Sequence, residues 1–137
     1  MKLLIGTGVY VDFPTINGNI YTRQAVEKAI SDQYLRDRLA NGAITGGILD
    51  PKTCKPIDDV MTHKVLDIKL YKEEIIVEID VFDDTNTKSF IKSLEHPQAA
   101  IVMVRPQQLR NGQTITEIDE IRTVHLRENP IYKRNDA

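Results

Sequence analysis

The sequence predicts an α+β domain, mainly antiparallel β-strands forming a sheet or barrel, with two helices. Three observations carry that prediction. Segments such as "IIVEIDVF" at 75–82 alternate apolar and polar residues with the two-residue period of a half-buried strand. Tight-turn signals separate such segments, at Asn17-Gly18, at "KEE" (72–74) and at "RNGQ" (110–113). Only two stretches, Thr22 to Ala40 and Asn86 to Glu95, carry helical spacing and end signals.

Taken in chain order, "KLLIGTGVYV" reads as a first strand with a bulge at Gly6 or Gly8. The first helix follows the Asn17-Gly18 turn. Val26, Ile30 and Tyr34 fall four apart, Leu35 and Leu39 continue the stripe, Thr22 is its N-cap and Gly42 its stop. "AITGGIL" is a short extended piece, and "DPKTCKPIDDV" is a polar loop. "MTHKVLDIKLY" and "IIVEIDVF" form a hairpin. Asp84 or Thr85 caps the second helix, which His96-Pro97 brings to an end. "AAIVMV" is wholly apolar and reads as a fully buried strand, "TITEIDEIRTVHL" as a last long strand, and 128–137 as an irregular tail.

With 137 residues the chain is long enough for one core and reads as a single domain, 1–137. A net charge of -2 without any block of like charge argues against nucleic-acid binding by a basic face. Apolar runs of four or five residues are far short of the roughly 20 that span a bilayer, so no membrane partner is expected. The N-terminal "MKLLIGTGVYVDF" lacks the longer apolar core and cleavage site of a secretion signal. Cys54 is alone, which rules out an internal disulfide.

Local chemistry points away from catalysis. Ser31, Ser89 and Ser93 all fall on helical segments, none on a sharp turn that would display a nucleophile. Cys54 with His63 would make a thiolate pair, but a lone cysteine without a surrounding signature reads as an incidental thiol. Asp58, Asp59 and His63 match no metal-binding spacing, so no metal or cofactor is expected. Glu95-His96 reads as a helix end. His125 closes a strand, and the "GTG" at 6–8 lacks the helix and third glycine of a phosphate loop.

The order of segments is more specific than any one of them. "NGNIYTRQAVEKAI", "GGILDP", "THKVLDIKLYKEEIIVEIDVFDDTNTKSFIKSL" and "AAIVMVRPQQLRNG" follow one another over roughly residues 15 to 130. They resemble, in turn, the N-G-R-x-Y segment with its helix, the G-E-L-x-H-P segment, the S-H-x-I strand leading through a hairpin to a D-T-P-x-G-K helix start, and the V-S-x-R-G strand of the prohead core proteases of tailed bacteriophages. That resemblance implies a fold related to the herpesvirus maturation proteases, and a serine protease that trims scaffold and shell proteins inside an immature capsid. Carried over by residue, the histidine before proline falls on Asp50, with Pro51 kept and the preceding glutamate replaced by Gly47. The serine falls on Met103 or Val104; Arg105 and His63 are retained, and Pro106 or Gln107 replaces the following glycine.

With neither base nor nucleophile at those positions, the chain is expected to be no enzyme. It is expected instead to be a protease-fold structural component of a phage head, an auxiliary, decoration or assembly protein. Its expected partners are the capsid shell protein and further copies of itself, engaged by adding a strand to a sheet edge. Its expected place is the virion, after assembly in the host cytoplasm. The "AAIVMV" strand and the C-terminal tail are the candidate interface and tether. Two alternatives stand beside this: an active maturation protease pairing His63 or His125 with Ser89 or Ser93, and an unrelated β-rich binding module.

Overall fold

The computed structural model describes residues 1–57, 60–106 and 110–133. Among the described residues, eight strands and four helical segments follow one another. These are β1 (Lys2–Tyr10), β2 (Ile20–Tyr21), α1 (Arg23–Ile30), α2 (Gln33–Ala40), β3 (Thr45–Gly46), β4 (His63–Tyr71), β5 (Glu74–Val81), α3 (Thr85–Lys92), β6 (Pro97–Val104), β7 (Thr114–Ile115), β8 (Glu120–Glu128) and the single turn α4 (Pro130–Lys133). The α+β, mostly antiparallel architecture is the one the alternating pattern predicts.

A four-stranded antiparallel sheet has the order β1-β5-β4-β3, and β6 pairs antiparallel with β8 in a ribbon of its own. The two curl towards each other into a partial barrel. On one side the chain just after β3 joins β8, with Ile48 bridged to Leu126 and main-chain bonds from Leu49 N to Leu126 O and from Leu126 N to Gly47 O. On the other side β6 lies alongside β1 without a ladder between them. Two-residue β2 and β7 pair parallel outside this curl.

The interior is aliphatic. Val65, Ile68, Val77, Ile79, Val124 and Leu126 are completely buried, and α1 and α2 add Val26, Leu35 and Leu39. Each such side chain contributes about 1.5–3 kcal/mol of burial. The alternating "IIVEIDVF" stripe places Ile75, Val77, Ile79 and Val81 inward, as its period requires.

Several expectations need correction. The single helix over 22–40 is two helices, because Asp32 adopts an extended backbone and its carboxylate accepts the Leu35 N–H, capping α2 and ending α1. Arg36 then seals the junction, donating to Ile30 O at 2.7 Å, Ile68 O at 2.7 Å and Asp67 Oδ1 at 2.6 Å. The tail predicted to be irregular contains α4, and the last long strand is divided into β7 and β8. "AAIVMV" is not fully buried: Val102 is 37% exposed and Ile101, Met103 and Val104 are half-buried. Paired only with β8, β6 keeps one face towards solvent, and an apolar run alone cannot report that.

The capping and turn predictions hold. Thr22 and Asp84 cap α1 and α3, Gly42 follows α2 with φ +66°, and β1 is bulged between Gly6 and Tyr10 with Gly8 at φ +70°.

Candidate functional site

Two buried histidines face each other where β3 meets β8. His63 begins β4, opposite Gly46, and its Nε2 is 2.8 Å from the Val124 carbonyl oxygen. A carbonyl only accepts, so Nε2 carries the proton and the bare Nδ1 accepts the Thr62 hydroxyl at 2.8 Å. His125, on β8, accepts the Gly47 N–H at Nδ1 at 3.0 Å, which places its proton on Nε2. No protein group among the described residues engages that Nε2. Burial pushes both rings below the usual histidine value. For His63 the Val124 bond acts the other way, and His125 is close enough that a charge there would push it lower still.

The Gly46-Gly47 pair makes this packing possible. A Cβ on Gly46 would overlap the Val124 carbonyl oxygen and crowd His63 Nε2, and one on Gly47 would overlap the Val60 carbonyl oxygen.

The loop that follows is organised by Asp50. Its Oδ1 accepts the Lys52 N–H at 2.7 Å, its carbonyl accepts from Cys54 N, and its own N–H donates to Lys55 O. That carboxylate is a turn-former. Cys54 is exposed at φ +58° and lies beside Arg127, away from His63 in the core. Asp58 and Asp59 lie outside the described residues.

The two positions expected to bear base and nucleophile are not brought together. Asp50 shares a small cleft with Arg127 and Glu128 at the end of β8, whereas Met103 pairs with Ile121 and Val104 with Glu120 at its start. At about 3.3 Å per residue those ends are roughly 20 Å apart. Arg105 donates to the Tyr21 hydroxyl at 3.0 Å, a structural contact near β2. The serine pairings are not formed either. His63 has spent both nitrogens, Ser93 Oγ donates to Phe90 O at 2.5 Å, and Ser89 is exposed on α3.

No protein-family model and no curated protein matches this sequence. Among solved structures the chain is similar to the capsid assembly protease gp21 of bacteriophage T4, with a TM-score of 0.66 and 13% identity, covering 93% of this chain and 81% of that one. The fold is that of a capsid assembly protease. The shared fold bears out the protease-like architecture that the order of the sequence segments implies.

It also overturns the expectation that this chain is no enzyme. That solved structure, which shares the fold over 93% of this chain, is a protease. Asp50 and Met103 or Val104, the positions to which the resemblance carries base and nucleophile, stand at opposite ends of the β6–β8 ribbon.

Sequence reasoning gave His125 a part only in the alternative that pairs it with Ser89 or Ser93, and passed over Gln98 and Arg127. A histidine three residues before the end of an alternating strand was the one available signal for the first. The other two acquire meaning only from β1 and β6 lying side by side.

Proposed function

We propose that this chain acts in phage head assembly as a peptidase, binding an extended segment of capsid shell or scaffold polypeptide and cleaving it. The observation that supports the reading is the fold shared with a capsid assembly protease over 93% of the chain. On this reading the shell protein is the partner, and the protein works on assembling heads in the host cytoplasm and is retained in the virion. His125 is the proton-transfer group. Its ring is neutral near pH 7, is oriented by the Gly47 N–H, and keeps Nε2 without a protein partner among the described residues. His63 cannot take that part, because both its nitrogens are engaged in the core.

The test is incubation with unexpanded heads of the cognate phage, followed by denaturing gels and mass spectrometry of the head proteins. Shortened shell or scaffold chains are expected, and their loss with His125→Asn in a variant whose thermal unfolding is otherwise normal. Intact head proteins after prolonged incubation, with the protein bound to the pelleted heads, would overturn the peptidase reading.

A further inference from the structure

Two residues beyond His125, near the end of β8, stands Arg127. Arg23, Arg36, Arg38 and Arg122 each have a carboxylate within 4.0 Å. Among the described residues Arg127 has none, as is also true of Arg105 and Arg110, and the neighbouring Glu128 is turned to the His96 N–H at 2.9 Å. Yet Arg127 is held in place: its Nε donates at 3.0 Å to Oε1 of Gln98, which is only 7% exposed. Burial lowers the Arg127 pKa, so the fold keeps a partly desolvated cation whose terminal nitrogens meet no partner among the described residues. Such a group is stabilised by an anion able to accept two parallel N–H bonds.

The cation opens into a cavity of about 360 Å³ between β1, β6 and β8, lined among others by Gly6, Gly8, Glu74, Gln98, Arg127 and Asn129. We infer that Arg127, held by Gln98, is the anchor for the free α-carboxylate of a polypeptide end lying in this cavity. Three features select that ligand. The carboxylate of Glu74, bonded to Gly8 N at 3.1 Å, lines the same cavity and disfavours ligands of high negative charge such as phosphates. Among the described residues the β1 edge facing β6 carries no ladder, and its Gly8 and Val9 N–H groups are held only by the Glu74 and Thr7 side chains, which a peptide's carbonyls can replace. A chain terminus presents an amide and a carboxylate side by side, as a strand edge beside a guanidinium requires. This goes beyond the peptidase reading and does not depend on it.

The test is an NMR titration of the full chain with N-acetyl-trialanine as the free acid and, separately, as its C-terminal amide. The acid is expected to shift the Gly6 and Gly8 amides and the Arg127 Nε–H saturably. The amide is expected to bind at least about tenfold more weakly, as fits loss of a charge-assisted pair. Arg127→Gln should bring acid and amide to the same weak affinity. Equal binding of both by the unmodified protein, or no saturable shift with either at tens of millimolar, overturns the proposal without recourse to any variant. Tighter binding of an N-acetyl-Ala-Glu-Ala amide than of the free acid would assign the site to a side-chain carboxylate and overturn it too. No readout involves bond cleavage, so failure here and failure of the peptidase test are distinct.

Discussion

The two sides on which the four-stranded sheet meets the β6–β8 ribbon are built in opposite ways. Between β3 and β8 the contact is main chain to main chain, through Gly47, Leu49 and Leu126, and His63 and His125 are buried against it. Between β1 and β6 there is no ladder; Glu74 and Gln98 fill the positions that side chains on Gly6 and Gly8 would take, and a cavity remains. Both sides use glycine pairs, but for different reasons. At Gly46 and Gly47 the obstacle is a fixed carbonyl; at Gly6 and Gly8 it is the movable end of a long side chain. The first side is closed and specifies the fold. The second is open and polar, and suits binding.

The sharpest break in that comparison is Gly46→Ala. Its methyl overlaps the Val124 carbonyl oxygen and crowds the buried His63 ring, neither of which can turn aside, so β3 must part from β8, with an expected loss of about 3 kcal/mol or more in urea unfolding. A loss under about 1 kcal/mol would show that the closed side yields as readily as the open one.

The histidines give the next effect, in pH. Both rings have folded pKa values below the unfolded value near 6.5, so the unfolded chain binds protons first as pH falls. Their contribution is complete above about pH 6.5 and is lost progressively below it, as pH falls towards the folded values. The unmodified protein should lose stability from pH 7 to 5, and His63→Gln with His125→Asn should flatten that slope while lowering stability at pH 7. An unchanged slope in the double variant would assign the acid sensitivity elsewhere.

Smallest is Gly8→Ala. A left-handed φ of +70° makes any side chain costly there, by about 1 kcal/mol, and Gln98 adds a contact that it can relieve by turning away. Adding Gln98→Ala should recover the contact part and leave the conformational part, which a double-mutant cycle separates. No recovery would mean that the open side is as rigid as the closed one.

How much was legible beforehand follows from the range over which each feature acts. Strand period, the Thr22 and Asp84 caps, Gly42 and the β1 bulge depend on a few neighbouring residues, and all were readable. The break at Asp32 was readable in principle, since a capping residue stands in mid-helix, but the apolar stripe running through it masked the signal. The exposure of Val102 was not, because an apolar run does not say whether its strand will have one neighbour or two. For the site, matching short segments along the chain set Asp50 beside Met103 and Val104 as one pair; register in β6–β8 separates them by most of a strand.

The sequence by itself determined the α+β class, the antiparallel strands, the caps and turns, and the order of segments that resembles a prohead protease. Those depend on local backbone preference and on the period of burial, which one chain carries within each segment. Only the tertiary structure decided that Gly46-Gly47 packs against His63 and His125, that Asp50 forms a turn far from β6's other end, and that Arg127, held by Gln98, opens into a cavity beside β1. Each of these depends on which strand lies next to which. Curling the sheet towards the ribbon brings together residues that are far apart in sequence, and no local pattern records that meeting.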